Sequence, residues 1–347
     1  KKNNMDNINW GILGLGDIAH TFSKGFEDTS NAKLLAVASK DFEKLNKFKD
    51  KFNVENKFLF NDYEDLIKCN EVDIIYIALP NFLHHHWALK SIRNKKHTLV
   101  EKPVTLNLKE IENIKKNLNG EKIFFGEAFM YRYHPQIETI LDIIKNNDIG
   151  NLLNMKSQFG TNFLSKKKFW FFDKKKKIDP NSRLFSKKLG GGCILDLGCY
   201  PSSFSLLISS LASHKDNLEI KLSNIFREMG ETNVDVDCYA KIIFGDNFFS
   251  EIYASFKKDL GRKTEIHGEK GSMVINDSWF GSKSIIKKDY KGEQIININN
   301  IKKNIYSYQI ENISEVILNN LYVPKFPGIS LNESIMNMEI IEDWQNA

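Results

Sequence analysis

Gly14-Leu15-Gly16-Asp17-Ile18-Ala19 is the first run in the chain whose residue types and spacing could do chemistry. It reads G-x-G-x-x-A and follows an apolar run, Ile8–Leu13. In that setting the first glycine permits a tight turn, the second lets backbone approach a pyrophosphate, and the small third residue lets a helix pack on a strand. The free N–H groups and positive dipole of the following helix suit phosphate oxygens. Gly14, Gly16, Asp17, Ile18 and Ala19 are therefore candidate cofactor-binding residues. The next apolar run ends in Ala38-Ser39-Lys40-Asp41. An acid at that strand tip would hold the ribose 2′-hydroxyl of NAD. Here Ser39 can donate to a phosphate oxygen and Lys40 brings positive charge, which favours NADP(H), with NAD(H) as the alternative. Asp41 is the counterweight, although it is equally well placed to cap a helix.

Two more clusters, Pro80-Asn81-Phe82-Leu83-His84 and Glu101-Lys102-Pro103, each follow a buried-strand pattern. Open α/β sheets bind ligands at the carboxyl ends of their strands. Pro80, Asn81, His84, Glu101 and Lys102 join the cofactor-side candidates on that ground, with His84 holding its loop in place. A lysine in such a place can hydrogen-bond a substrate oxygen and shift neighbouring pKa values. His84, His85 and His86 have no further ligand at metal spacing, so no metal is expected there.

The elements that must position these residues follow from periodicity. Through about residue 125, short apolar runs alternate with helix patterns: Ile8–Leu13, a helix over Asp17–Glu27, Leu34–Ala38, a helix over Asp41–Lys51, Phe58-Leu59, and a short helix capped by Asp62. Val72–Ala78, a helix over Phe82–Arg93, Thr98–Val100, a helix over Leu108–Leu118, and Ile123–Phe125 continue the alternation. Strand–helix alternation with short links predicts βαβ units, and uninterrupted apolar runs predict parallel strands covered on both faces. Past Glu127 the pattern changes to one helix over Pro135–Asn146 and then long β segments, several joined by turns such as Gly245-Asp246-Asn247. These predict a large, open, mostly antiparallel sheet. Helices over Asn304–Leu321 and Asn332–Trp344 close the chain. The expected class is α/β: an N-terminal Rossmann domain, 5–127, with a doubly wound parallel sheet, and an α+β substrate domain, 128–347.

Of 347 residues, 41% are hydrophobic and 27% charged, which suits packed domains and argues against disorder. The net charge of +5 comes from lysine, and no nucleic-acid partner is expected. The basic runs Lys166–Lys168 and Lys174–Lys177 read as a solvated loop, or as a patch for an anionic substrate. Cys69, Cys193, Cys199 and Cys238 contain no C-x-x-C pair and no metal spacing, which fits free thiols in a reducing cytoplasm. No apolar run has transmembrane length, so no membrane partner is expected. Met5 is one candidate start of the natural chain, and membership in a longer polypeptide is the other.

Taken together, these motifs resemble the glucose–fructose oxidoreductase / inositol dehydrogenase / MocA family. G-x-G-x-x-A, Pro80–His84 and Glu101–Pro103 carry the resemblance, with Glu127-Ala128-Phe129-Met130-Tyr131-Arg132-Tyr133-His134-Pro135. Ser182-Arg183-Leu184-Phe185 and the run from Gly190 through Asp196 to Tyr200-Pro201 complete it. Tyr at 200 is similar to the branch that holds dihydrodiol dehydrogenases and NADP-dependent xylose dehydrogenases, which mostly uses NADP. The resemblance implies that Lys102 and Tyr200 flank the substrate carbonyl or hydroxyl, with Tyr200 as proton donor or acceptor and Asp196 orienting Lys102 or the substrate. Asp196 stands four residues before Tyr200, so the two share a face if that stretch is helical. Asp196 as a plain helix cap and Tyr200 as a packed aromatic remain alternatives. Tyr131 and Arg132 either line a substrate pocket or tie the domain junction together. Arg183 is a candidate for gripping a substrate oxygen or phosphate, and Trp170 for stacking on a sugar face. The implied activity is hydride transfer between a nicotinamide cofactor and a sugar, polyol or nucleotide-linked sugar. A non-catalytic cofactor-binding sensor of the same fold is the alternative. A homodimer or homotetramer through the C-terminal sheet is expected.

Overall fold

Four consecutive fully buried residues, Ile74–Ile77, form the strand at the middle of the first sheet, and nothing but parallel pairing on both sides would satisfy them. In the computed structural model, which describes residues 7–168, 172–212 and 219–347, contacts divide the chain into two units. One comprises the residues up to His134 together with Lys302–Ile335, and the other Pro135–Ile301 together with Met336–Ala347.

The first unit runs β1 (Ile8–Leu13), α1 (Asp17–Ser23), β2 (Ala32–Ala38), α2 (Phe42–Phe52), β3 (Leu59–Phe60), α3 (Tyr63–Lys68), β4 (Ile74–Ile77), α4 (His84–Arg93), β5 (His97–Glu101), α5 (Leu108–Leu118) and β6 (Phe125–Ala128). Its six strands lie in the order β3-β2-β1-β4-β5-β6, all parallel, which is the doubly wound arrangement. Caps set the helix starts. Asp41 accepts from Glu43 N and Lys44 N at 2.9 and 3.2 Å, Asp62 from Glu64 N at 2.7 Å, and Asn107 from Glu110 N at 3.0 Å. The last strand lies later than the run Ile123–Phe125 suggests, because its end carries Glu127, a buried acid that disguises a buried strand. The helix Tyr306–Leu318 packs into this unit. Trp10, fully buried, donates its indole N–H to Ser314 Oγ at 3.0 Å, and Ser307 Oγ donates to the Gly25 carbonyl at 2.8 Å.

The second unit begins with α6 (Pro135–Lys145) and β7 (Leu152–Gly160), then a two-stranded hairpin of β8 (Ser165–Lys168) and β9 (Phe172–Lys175). A π-turn over Ile194–Gly198 leads into α7 (Cys199–Ala212). There follow β10 (Ile220–Met229), β11 (Asp235–Phe244), β12 (Phe248–Ser255), β13 (Thr264–Gly268), β14 (Gly271–Ile275), β15 (Ser284–Asp289) and β16 (Gly292–Asn297). The helices Tyr306–Leu318, here α8, and Leu331–Asn346, α9, end the chain. The eight-stranded sheet has the order β10-β11-β12-β7-β13-β14-β15-β16 and is antiparallel except where β12 meets β7. Burial alternates along β12, so one face of the sheet is covered, and α7 packs on β7 and β12 to cover it. The helical run Lys187–Ala212 has the length and hydropathy to cross a bilayer, but 89% of its apolar window is buried in the protein. Its apolarity is that of a core helix.

Trp344 is fully buried and donates its indole N–H to the Tyr239 carbonyl at 3.2 Å. Truncating it removes both the packed ring and a hydrogen bond from a core that closes poorly over a cavity. Trp344→Ala is expected to cost about 3–5 kcal/mol and lower the Tm by roughly 10 °C in a thermal melt followed by circular dichroism. An unchanged melt would mean that the second unit does not depend on this ring.

Candidate active site

The glycine turn is built as its residues require. Gly14 has φ +89°, and a Cβ there would lie 2.7 Å from Leu79 Cδ2 and 2.9 Å from the Ala78 carbonyl oxygen. Only glycine fits that close approach between the ends of β1 and β4. Gly16 caps α1, is exposed, and has nothing within 4 Å of where a Cβ would stand. That open cradle beside a helix start is what a dinucleotide phosphate needs, so the residues fit the group. Asp17 is exposed, Ile18 half-buried, and Ala19 fully buried against the sheet.

At the tip of β2, Ser39 is 5% exposed, and its hydroxyl accepts the Asp41 N–H at 3.1 Å. Lys40 is exposed, with its ammonium 5.9 Å above the Tyr63 ring centre. The Asp41 carboxylate is engaged by two helix amides, which makes it a cap.

The turn Glu101–Val104 after β5 is tied down by three buried polar groups. Tyr76 O–H donates to Glu101 Oε1, and its ring stacks on Phe22 at a centre separation of 3.8 Å. Glu101 Oε2 accepts the Lys102 N–H at 3.2 Å. His84 is fully buried, with Nδ1 2.8 Å from the Pro103 carbonyl oxygen and Nε2 2.7 Å from that of Leu79. Two carbonyls would favour an imidazolium, but burial outweighs them and, with the Lys102 charge, pulls the pKa down to about 4. Glu127 accepts from Val104 N at 3.0 Å and from Ser334 Oγ at 2.6 Å. Burial pushes its pKa up to about 7 against the pull of Ser334, Val104 and Arg132, and Glu101 adds to the rise. Lys102 itself is half-buried, and its peptide bond to Pro103 is cis. Pro80 is exposed, and Asn81 opens a single 3-10 turn that leads into α4.

In the second unit the π-turn carries Asp196 and the first turn of α7 carries Tyr200, so the stretch is helical as a shared face requires. π-turns are rare and recur at functional sites. Asp196 is 7% exposed and accepts from Arg183 Nη1 at 3.1 Å, while Arg183 itself reaches solvent. The Tyr200 ring sits edge-on to Phe159, at 5.3 Å, and 5.7 Å from Trp279. Tyr131 and Arg132 are both fully buried. Arg132 Nε donates to the Tyr131 hydroxyl at 3.2 Å, and Nη1 to the Pro327 carbonyl and Glu333 Oε1 at 3.2 and 3.3 Å. These bonds all lie within the first unit. Trp170 lies outside the described residues, as do the side chains of the lysine runs around it except Lys176 and Lys177. Two residues that sequence reasoning passed over, Tyr76 and Glu127, prove central to the Lys102 turn. The signal for each was a polar group inside an apolar strand.

A family model described as an oxidoreductase family with an NAD-binding Rossmann fold matches residues 8–127, and a GFO/IDH/MocA C-terminal domain model matches 137–274. A trans-1,2-dihydrobenzene-1,2-diol dehydrogenase from Xenopus tropicalis is 24% identical over 96% of both chains. A glucose-6-phosphate 3-dehydrogenase from Bacillus subtilis is 28% identical over 75% of this chain and 72% of its own. Among solved structures, an aldose–aldose oxidoreductase from Caulobacter crescentus, complexed with glycerol, superimposes with a TM-score of 0.83 at 17% identity, covering 98% of this chain and 97% of that one. A mutant 3-ketoreductase from Actinomadura kijaniata, in complex with TDP-benzene and NADP, gives 0.81 at 18% identity over 98% of each chain. The structural likenesses speak for the fold.

Because the folded pKa of Glu127 lies above its ordinary 4.5, the folded state favours the protonated acid. Its contribution to stability is full below pH 4.5 and is lost as pH rises through about 7. Glu127→Gln mimics the neutral acid, so its stability relative to the parent should rise steadily across that interval in denaturant melts at stepped pH. Parallel pH profiles for the two proteins would show that Glu127 does not titrate there.

Proposed function

The chain belongs to the glucose–fructose oxidoreductase / inositol dehydrogenase / MocA family of NAD(P)-binding oxidoreductases, and on that premise we propose that it moves a hydride between NADP(H) and a secondary alcohol or hemiacetal carbon of a sugar, polyol or nucleotide-linked sugar. One observation carries the reading. Lys102 is fixed by buried hydrogen bonds at the carboxyl edge of the same parallel sheet that presents the Gly14–Gly16 cradle.

In this reading residues 5–127 hold the cofactor and 128–347 supply the substrate side. The Gly14–Ala19 turn takes the pyrophosphate, with Pro80, Asn81, His84 and Glu101 shaping the nicotinamide end. Ser39 retains a proton to donate and Lys40 a charge to pair, which suits a 2′-phosphate, while Asp41 is committed to its helix. The nicotinamide, when bound, gives or takes the hydride. Tyr200 moves the proton on the substrate oxygen, assisted by Lys102. A free phenol has a pKa near 10, and a lysine ammonium favours the phenolate. Asp196 orients the substrate from one turn away, with Arg183 holding its carboxylate. The names of the glucose-6-phosphate 3-dehydrogenase and aldose–aldose oxidoreductase relatives support a sugar-like substrate, that of the dihydrodiol dehydrogenase supports a secondary alcohol, and the ketoreductase crystallised with NADP supports the cofactor. We place the enzyme in the cytoplasm, as a homodimer or homotetramer assembled through the large sheet.

A panel of aldoses, polyols and nucleotide-linked sugars scored by nicotinamide absorbance tests the activity itself, and silence across the panel with both cofactors would count against it. On the best substrate, Tyr200→Phe should bind NADP as the parent does and turn over on the order of 100-fold more slowly. Undiminished turnover would remove Tyr200 from the acid–base role. Lys40→Ala should raise the Kd for NADP by about tenfold or more and leave that for NAD nearly unchanged. Equal weakening of both cofactors would remove Lys40 from the 2′-phosphate site.

A further inference from the structure

Ahead of the Asp196–Tyr200 turn, the loop Gly190–Cys193 crosses the covered face of the large sheet and brings together three potential metal ligands. Cys193 Sγ, Cys238 Sγ and an Asp235 carboxylate oxygen lie within 4.8 Å of one another, and all three residues are buried. Cys238 and Asp235 come from β11, Cys193 from 45 residues earlier in the chain, which is why spacing concealed the group.

The separation of the two sulfurs matches a coordination sphere. Two thiolates about 2.3 Å from one tetrahedral metal stand roughly 3.8 Å apart. The two sulfurs here are 3.7 Å apart, far beyond the ~2.05 Å of a disulfide. A sulfur and an oxygen on the same metal stand roughly 3.6 Å apart. The Ala254 carbonyl oxygen lies 3.4 Å from Cys193 Sγ and could provide a fourth donor. Asp235 is held in place: one oxygen accepts the Ile194 N–H at 2.7 Å, and the carboxylate also hydrogen-bonds the Cys193 thiol, a proton that an entering cation would displace. Its carboxylate fits under the loop only because residue 192 is glycine, since a Cβ there would lie 2.5 Å from Asp235 Oδ2. Burial, and then Cys238 and Asp235, hold the Cys193 thiol well above its ordinary pKa.

We propose that Cys193, Cys238 and Asp235 form a structural site for a thiophilic divalent cation of the zinc class. Two thiols give up their protons as one divalent ion enters, so the site would hold two thiolates, a carboxylate and the ion, with a net charge equal to that of a Cys₃His zinc centre. Bound there, the ion staples the loop that precedes Asp196 and Tyr200 to β11, and through Ala254 to β12. The proposal stands apart from the oxidoreductase reading, and its test does not read turnover.

The full-length protein, reduced with a phosphine, stripped with a chelator and desalted, is titrated with Zn²⁺ and, separately, with Cd²⁺. One equivalent of Zn²⁺ per chain is expected by elemental analysis after desalting, with release of two protons, a higher Tm and a thiolate-to-cadmium absorption band. Cys238→Ala should weaken binding by about 100-fold or more, and Cys69→Ser should bind as the parent does. Failure of the parent to retain the ion overturns the proposal, as does binding that survives Cys238→Ala. A Cys193–Cys238 disulfide found by peptide mapping in place of metal, in protein never exposed to the chelator, overturns it equally. Because the parent titration decides the matter alone, a Cys238→Ala variant that fails to fold does not leave it open.

Discussion

Desolvation of a few polar groups around one four-residue turn constrains the rest of the first unit. Glu101–Val104 leaves β5 into the interior, where its carbonyls and amides have no water to fall back on. Tyr76, His84 and Glu127 answer them from β4, α4 and β6, so the turn cannot shift without stranding an acid or an imidazole in the core. The sheet order puts those three elements on either side of β5 or just beyond it. A parallel sheet in this order therefore both requires the lysine-bearing turn and immobilises it. Ser334 extends the tie to α9 through the second Glu127 oxygen, which explains why residues far along the chain fold with the first unit.

The second unit solves a different problem with similar means. Its large sheet needs a cover, and α7 gives it one that is almost wholly buried. Its Ser205, Ser209 and Ser210 turn their hydroxyls back onto the helix's own carbonyls, and the groups with chemistry to offer stand at or just before its start, where Asp196 meets Arg183 and Tyr200 lies among Phe159 and Trp279. The tight loop that feeds this start depends on Gly192, with φ +115° and the Asp235 carboxylate lodged where a side chain would be.

Much of the architecture was legible in the sequence because burial on both faces writes itself as uninterrupted apolar runs, and caps write themselves as Asp or Asn before a helix. Asp41 and Asp62 cap as their positions suggested, and α5 has the expected bounds. The α/β class, the parallel first sheet and the mostly antiparallel second followed from the same signals. The glycine turn was legible for the same local reason, since its chemistry resides in six adjacent residues. What escaped was whatever depends on partners distant in the chain. Glu127 interrupts the apolar run, so β6 was placed too early, and its partners Val104 and Ser334 are visible only in the fold. The bonds of Arg132 to Pro327 and Glu333, 195 and 201 residues away, are likewise invisible in the sequence. No local pattern announces that Tyr306–Leu318 packs on β1, because periodicity identifies an apolar face and not its destination.

The π-turn at Ile194–Gly198 has a bearing on how this chain can change over time. A wide turn is, in effect, a helix carrying one residue more than its hydrogen bonds call for. Losing a single codon within it would restore ordinary helical winding, and every side chain upstream would swing by about 100° relative to those downstream. The loop Gly190–Cys193 would then meet the helix in a different rotation and lose its alignment with Asp235. Changes in the length of this stretch are therefore closed to drift unless the loop and the helix are rebuilt together, and at Gly198, where a Cβ would lie 2.8 Å from the Trp344 ring, even a point substitution is closed.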